Sequence, residues 1–229
     1  MNTVNFIQRS AKTAGLAYLL IIVTSILSMV IGPYKLMVEG DIGSTLINIS
    51  ENQILYRAGA VYDLLMYMGV IILSVALYRV LKPVNKSVAL VALLSRFAEA
   101  LIGSIAVVCS IAILIVIHGN YASDEMLKTA TLVFDIKDSL MNIVFTFLGF
   151  GSILFCYNFY TSRFIPRLLA AFGILAFVLV FGESIAVLLF SVESTVVTGL
   201  PAILFEIAIG LWLLIKGINI QHLNKLISK

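Results

Sequence analysis

The sequence predicts an all-α protein, a polytopic bundle of six transmembrane helices that forms a single domain over residues 1–229. Composition is the first observation behind this prediction, because 61% of the 229 residues are hydrophobic and only 12% are charged, about half the usual share for soluble domains. The second observation is that the apolar residues lie in six separate stretches. Each stretch reaches the roughly 20 residues that a helix needs to cross the bilayer core.

These stretches give the predicted helices in order. Their limits are about 11–31, 53–81, 84–118, 129–160, 166–190 and 199–220. The first is too long for the apolar core of a signal peptide and no cleavage motif of small residues follows it, so we expect an uncleaved anchor and no soluble domain. Residues 44–53, in the loop after the first stretch, are weakly amphipathic and predict a short interfacial helix.

Charged residues in the connecting segments predict the orientation, because Lys and Arg are retained on the cytoplasmic side. With the N-terminus inside, ten basic residues fall in or beside the inner connections: Arg9, Lys12, Arg79, Lys82, Lys86, Arg163, Arg167, Lys216, Lys225 and Lys229. Only Lys35 and Lys128 fall outside, together with the acidic loop residues Glu39, Asp41, Glu51, Asp124, Glu125 and Glu193. We therefore expect a multi-pass protein of the cell membrane with both termini in the cytoplasm. The basic residues are too dispersed to indicate nucleic-acid binding.

An excess of acids inside the apolar stretches is the clearest functional signal. Six carboxylates lie there, namely Asp63, Glu99, Asp135, Asp138, Glu183 and Glu206, against three basic residues, Arg57, Arg96 and Lys137. A charge in hydrocarbon costs several kcal/mol, about 2.5 to 3.5 for Asp at a helix centre on insertion scales. These acids must therefore be paired, protonated or hydrated, which predicts a polar interior with a functional role.

Helical periodicity places the polar residues on shared faces, at 100° per residue. The predicted interior stripes are Tyr56, Asp63, Tyr67, Ser74 and Tyr78 in the second span, Ala92, Arg96, Glu99, Gly103 and Ser110 in the third, and Asp135, Asp138, Asn142 and Gly149 in the fourth. The sixth span aligns Gly199, Ala202, Glu206, Gly210 and Gly217, small residues that allow close helix packing in a membrane.

Depth along the spans suggests an acidic ring. Four carboxylates lie about seven to ten residues from the exterior end of their spans, roughly 10 to 15 Å deep at helical rise: Asp63, Asp138, Glu183 and Glu206. We expect them to line one outward-facing cavity, with at least one protonated at neutral pH because burial and mutual repulsion disfavour the charged form. Glu99 lies deeper, where Arg96 one turn away permits an ion pair. Arg57 is expected near the exterior mouth.

Structural interpretations remain open for the same residues. The Arg96 and Glu99 pair also fits a role in helix packing alone, and protonated carboxyls can form hydrogen bonds between helices. Tyr67 fits either core packing or ligand contact. Lys137 projects away from the acidic stripe of its own helix, so we expect it to extend to the outer interface.

Motifs that would name a reaction are absent from the sequence. No HExxH, GxSxG, Walker or CxxC pattern occurs, and neither histidine lies among the acids. Cys109 and Cys156 lie at different depths, so we expect two core residues and no disulfide. We expect no cofactor and no resident metal, with a hard cation such as Ca²⁺ or Mg²⁺ among the carboxylates as the alternative.

Several short elements occur in a characteristic order along the chain. They are AGLAYLLIIVT at 14–24, YRAGAVYDLLM at 56–66, LKPVN at 81–85, RFAE at 96–99, FIPRLL at 164–169 and LPAILFE at 200–206, which leads to Gly217. In this order the chain resembles the bacterial "domain of unknown function 4386" family over almost its whole length. The resemblance implies a small prokaryotic polytopic membrane protein with no assigned activity. It supports the topology and the interest of Arg57, Asp63, Arg96, Glu99 and Glu206, and supplies no chemistry.

Three function classes remain. The excess of acids favours a membrane receptor or binding protein whose acidic cavity holds a small cationic or amphipathic, lipid-like ligand. The alternatives are an intramembrane enzyme acting on a lipid or isoprenoid by carboxylate acid-base catalysis, and a proton- or cation-coupled transporter, which the lack of a clear inverted repeat disfavours. The expected partners are membrane lipids and this ligand, and no oligomeric state is predicted. The candidate ligand-binding residues are Asp63, Glu99, Asp138, Glu183, Glu206, Arg57, Arg96, Tyr67 and Asn142.

Overall fold

The structure is a computed structural model that describes residues 3–119, 122–192 and 195–227. Its helices are α1 (Thr3–Ile31), α2 (Pro33–Leu36), α3 (Ile42–Glu51), α4 (Gln53–Leu81), α5 (Lys86–His118), α6 (Ser123–Ser162), α7 (Arg167–Phe190), α8 (Val196–Ile215) and α9 (Ile220–Ile227). Six of them, α1 and α4 to α8, are long and apolar enough to cross a membrane. The predicted class, an all-α bundle with six candidate spans, is confirmed.

Helix boundaries differ from the prediction mainly at polar ends. The second span agrees at both ends, whereas α1 begins at Thr3 and α6 at Ser123, because both helices continue beyond their apolar stretches. Helix α8 ends at Ile215, five residues earlier than expected. The chain turns there because Gly217 adopts a left-handed conformation with φ of 69°, and α9 follows.

The six long helices pack in a closed ring. Helix α1 contacts α4, and the order continues through α5, α6, α7 and α8, which packs against α1 again. Tight turns join α4 to α5 and α6 to α7. Each helix of such a ring has one face directed toward the shared interior. Buried apolar side chains from all six helices form one continuous core there.

Hydrogen bonds join α1, the end of α8 and the α6–α7 turn at one end of the ring. The Gln8 side chain donates to the Lys216 carbonyl at 3.3 Å and accepts from the Ile218 amide at 3.1 Å, which joins α1 to the end of α8. The Asn219 amide donates to the Phe164 carbonyl at 2.9 Å, which joins the same segment to the α6–α7 turn. We call this end the terminal face and the opposite end, which carries α2 and α3, the loop face.

A second apolar cluster covers the loop face. Helix α3 packs through Leu46 and Ile49 onto the adjacent ends of the long helices, around the buried Tyr56 ring. Asp41 caps the start of α3. Its carboxylate accepts hydrogen bonds from the Ser44 amide at 2.9 Å and the Ser44 hydroxyl at 2.6 Å. These bonds, the hydroxyl first, hold the pKa of Asp41 below its ordinary value. The predicted short helix after the first span is therefore present and capped.

Single cysteines can test the orientation, which remains a prediction. Ser123 is exposed at the loop face and Ser87 is exposed at the terminal face. In a background without Cys109 and Cys156, a membrane-impermeant maleimide should label Ser123→Cys in intact cells and Ser87→Cys only after permeabilisation. The opposite labelling pattern would reverse the assignment. Two residues of the charge argument, Glu193 and Lys229, lie outside the described residues.

Candidate functional site

The acids of the spans fall into separate groups instead of the expected ring at one depth. A central group contains Arg96, Glu99 and Glu206, and an outer group contains Asp63, Lys137, Asp135 and Asp138. Glu183 belongs to neither, because its carboxylate binds the connection between α7 and α8. The expectation of a single ring at one depth is therefore corrected.

Unequal helix lengths explain the correction. Glu206 lies nine residues from the terminal end of α8, roughly 14 Å at helical rise, whereas Asp138 lies 24 residues from the terminal end of α6, about 36 Å. Asp63 and Glu183 fall between these limits, about 27 and 24 Å from the terminal ends of their helices. Counting from the exterior ends of apolar stretches assumed that those ends are level. They are not, because α6 has 40 residues and α8 has 20.

The central group is built on the Arg96 and Glu99 pair of α5. Arg96 Nη1 lies 2.9 Å from Glu99 Oε2, and both side chains are buried. The predicted ion pair is therefore present. Arg96 Nη1 also donates to the Ser152 hydroxyl of α6 at 3.3 Å. Gly151 makes room for this approach, since a Cβ there would lie 3.1 Å from Arg96 Cγ.

Glu206 of α8 completes the central group from another side of the ring. Its carboxyl group interacts electrostatically with Arg96 and Glu99. Tyr18 of α1 and Cys156 of α6 lie within the same electrostatic environment. Four helices thus meet around two carboxyl groups and one guanidinium. Such a set carries a formal charge of −1 when all groups are ionised, so one proton or one cation would neutralise it.

The outer group links α4 to α6 near the loop face. Asp63 is half-buried and interacts with the Lys137 ammonium and the Ser28 hydroxyl of α1. Lys137 also interacts with the exposed Asp138. The expectation that Lys137 extends to the outer interface stays a prediction. Its ammonium also lies within electrostatic range of Asp63, which is on another helix and could not be found by projection of α6 alone.

The outer group carries a net negative charge and is accessible. Asp135 is exposed and interacts electrostatically with Asp138, so three carboxylates face one ammonium, a formal charge of −2. The exposed Tyr34 of α2 interacts with both Asp63 and Asp138. Asp138 and Tyr34 are exposed and Asp63 is only half-buried, so the group lies at the surface of the bundle near the loop face.

Tyr67 connects the two groups. Its buried side chain interacts electrostatically with Asp63 on one side and Glu99 on the other. The hydroxyl donates to Met141 Sδ at 3.6 Å, and the ring lies against Gly103, where any Cβ would overlap it. We call the outer group, Tyr67 and the central group together the axial column.

Two other candidate residues lie near the column without joining it. Asn142 is half-buried on α6, one turn from Asp138, and its side-chain amide forms no hydrogen bond with the described residues. Arg57 is exposed near the start of α4, six residues before Asp63 and therefore about 120° around the helix from it. The structure does not bring Arg57 to the outer group.

The Glu183 carboxylate forms hydrogen bonds that join α7 to the start of α8. Its Oε1 accepts from the Thr195 amide at 2.5 Å and the Thr195 hydroxyl at 3.1 Å, and its Oε2 accepts from the Thr198 hydroxyl. Thr195 is the residue before the first turn of α8. The carboxylate therefore holds the α7–α8 connection closed and satisfies donors at the start of α8.

Glu183→Ala should loosen this connection. Loss of the acceptor leaves the Thr195 amide without its partner, so we expect a destabilisation of about 1 to 2 kcal/mol and faster proteolysis between α7 and α8. Thermal unfolding and limited proteolysis in one detergent measure both effects. Glu125→Ala, at an exposed position in the first turn of α6, is the control. Equal proteolysis of the two variants would contradict the assignment.

Large apolar side chains fill the bundle beside the central group and toward the terminal face. Phe155, Phe159, Phe177 and Phe205 are each at most 2% exposed. The Phe177 and Phe205 rings pack edge to face with centroids 5.7 Å apart. Gly173 permits this packing, since a Cβ there would lie 2.5 Å from the Phe205 ring. We call these four phenylalanines the aromatic plug.

Several residues that lie near the central and outer groups were not predicted from the sequence. They are Ser28, Tyr34, Ser152, Tyr18 and Cys156. Single hydroxyls and thiols are common on apolar helices, so none stood out. Tyr34 lay in a predicted loop, where periodicity gives no direction. The two cysteines are free, as expected.

Fold and site together define a polytopic six-helix membrane protein with ionisable groups along its axis. The family model described as "Domain of unknown function (DUF4386)" matches residues 13–217, and the chain belongs to this family. The resemblance seen in the sequence is confirmed. Comparison with curated proteins and with solved structures gave no match. Among the described residues, no group of three or more His, Cys, Asp and Glu is placed to hold a metal ion.

Proposed function

We propose that this protein is a membrane-embedded binding protein whose outer group takes a small cationic or amphipathic ligand. The observation that carries the proposal is the formal charge of −3 at Asp63, Asp138 and Asp135, which Lys137 reduces to −2. In the predicted orientation the loop face is exterior. The ligand then arrives from outside the cell.

The surroundings of the outer group suit an amine joined to an apolar part. The exposed aromatic side chain of Tyr34 lies within electrostatic range of Asp63 and Asp138, and an aromatic ring can attract a cation. On α4, Val61 and Leu64 flank Asp63 and are exposed. An apolar tail can lie on these side chains, at the boundary with the lipid, while the amine pairs with the carboxylates.

Binding from one side fits the bundle better than transport. A transporter must open its site to both faces, and here the aromatic plug fills the terminal half of the interior with well-packed rings. The central group then balances charge within the bundle, with Arg96 next to Glu99 and Glu206. Tyr67 lies within electrostatic range of both Asp63 and Glu99, between the ligand site and the central group.

Mass spectrometry of co-purifying molecules tests the proposal. The protein is purified in mild detergent, extracted and searched without bias for amines and lipid-like molecules. Asp63→Asn keeps a hydrogen-bonding side chain but removes the charge, so its bound ligand should fall by tenfold or more, the effect of losing about 1.4 kcal/mol or more of binding free energy.

Asp124→Asn is the matched control, because Asp124 is an exposed acid in the first turn of α6, away from the outer group. Its ligand content should equal that of the wild type. The proposal is abandoned if Asp63→Asn retains the wild-type ligand content while its thermal unfolding is unchanged.

A further inference from the structure

The terminal face carries two grooves that the binding function at the loop face does not use. One, of about 510 Å³, runs between the α6–α7 turn and the end of α8 and is lined by Arg163, Arg167, Lys216 and Trp212 among others. The second, of about 700 Å³, lies between that turn, the α4–α5 turn and α9, and is lined by Arg163, Asn158, His222 and Lys225 among others. Arg163 belongs to both.

The charge of these grooves has a single sign. Their lining includes four Lys or Arg side chains and one histidine, and no Asp or Glu. The connecting segments 163–166 and 216–219, together with the described part of α9, also lack acids. The grooves therefore favour an anionic ligand.

Two of the cations are held over aromatic rings. Lys216 Nζ lies 4.3 Å from the centroid of the Trp212 ring, and Arg167 Cζ lies 5.3 Å from that of Tyr160. Arg163, at the junction of the grooves, has the left-handed φ of 57° that is uncommon for a residue other than glycine. The basic side chains are thus placed by local structure, and Trp and Tyr are the residues typical of the membrane–water boundary.

A buried amide lies at the floor of the second groove. Asn158 is 0% exposed, and neither its Nδ2 nor its Oδ1 has a hydrogen-bond partner. Unpaired polar atoms at such depth are rare in native proteins and indicate a missing partner. This is a second sign, independent of charge, that a polar group enters here.

Apolar side chains beside the first groove indicate what the anion is attached to. Leu168 is 84% exposed and Ile215 is 72% exposed, one on each side of the basic lining. Both lie at the terminal-face ends of helices that are long and apolar enough to span a membrane, where the acyl chains of a lipid could cover them. A free phosphate would leave these apolar side chains uncovered, whereas the acyl chains of a phospholipid would cover them.

We propose that the terminal-face grooves on either side of Arg163 bind the headgroup of an anionic phospholipid, with its acyl chains along Leu168 and Ile215. Arg163 and Lys216 contact the phosphate from two elements, and the polar floor at Asn158 receives the hydroxyl groups of the headgroup. This site is separate from the ligand site at the loop face.

Native mass spectrometry in detergent tests the proposal. Delipidated full-length protein is incubated with equal amounts of phosphatidylglycerol and phosphatidylcholine, which share a phosphate but differ in net charge. The wild type should retain phosphatidylglycerol in preference. Arg163→Gln with Lys216→Gln should reduce that preference by about 30-fold, the change expected for two contacts of roughly 1 kcal/mol per basic residue.

The control removes the same charge from the other face, through Lys35→Gln with Lys128→Gln, and should keep the wild-type preference. Arg163→Lys, which retains the charge, should keep most of it and guards against a folding defect in the double variant. Equal lipid selectivity in the two double variants would overturn the proposal. So would full displacement of phosphatidylglycerol by millimolar inorganic phosphate, since that outcome identifies a site for a free anion.

Discussion

Arg96→Met should destabilise the protein by about 3 to 5 kcal/mol, the usual consequence of removing one member of a buried ion pair. The guanidinium is 2.9 Å from Glu99 and also donates to Ser152, and all three side chains are buried. Methionine fills similar space but leaves the Glu99 carboxyl without its counter-charge. Chemical unfolding in one detergent measures the loss.

The double variant Arg96→Met with Glu99→Leu separates charge from packing. Because it removes both members of the pair, it should recover most of the stability that the single variant loses. A single variant as stable as the wild type would show that Arg96 does not hold the Glu99 charge inside the bundle. The central group would then need another explanation.

Gly15→Ala should lower the stability of the contact between α1 and α8, because the two helices cross at this position. An added Cβ would lie 2.5 Å from the Leu214 amide nitrogen and 2.7 Å from the Gly210 carbonyl oxygen. Both are backbone atoms, so the two helices must separate. We expect a destabilisation of about 1 to 3 kcal/mol, as for other overpacked positions, measured as a lower melting temperature.

Other glycines provide graded controls. A Cβ at Gly210 would meet side-chain atoms of Leu19 and Tyr18 at 3.1 Å, so Gly210→Ala should be mild and Gly210→Leu should cost several kcal/mol through overpacking. A Cβ at Gly199 meets nothing within 4 Å. Gly199→Ala should therefore leave the melting temperature unchanged. Identical melting of Gly15→Ala and Gly199→Ala would rule out the close crossing.

Much of the fold was predictable, because apolar length and helical period act within one helix. The interior face of α5 is the best example, since Ala92, Arg96, Glu99, Gly103 and Ser110 are all buried as expected. The ion pair followed from a spacing of three residues. The prediction for the fourth span was less accurate, since Asp135 and Asp138 of its predicted interior face are exposed near the loop face.

Relations between helices were not predictable in the same way. Depth requires a common reference plane, and the sequence does not show that α6 extends well beyond α8. Asp63, which lies within electrostatic range of Lys137, is on α4, so projection of α6 could not find it. Likewise, periodicity put Gly199 and Gly210 on one stripe, but only Gly210 meets another helix closely. Helical periodicity predicts which residues share a face of a helix. Which helix packs against that face depends on the tertiary structure.

The two ends of the bundle therefore carry different proposals. The loop face presents an excess of carboxylates for a cationic group, and the terminal face presents basic grooves for an anionic headgroup. The aromatic plug lies between them. The two proposals can fail independently, because the variants that test one leave the other face intact.

An experimental density map of the protein purified with its bound molecules tests the central claim most directly. The account predicts non-protein density at the loop face, with a polar atom about 3 Å from the Asp63 carboxylate, and loss of that density in Asp63→Asn. A map without such density at Asp63, in which wild type and Asp63→Asn are indistinguishable, would contradict it.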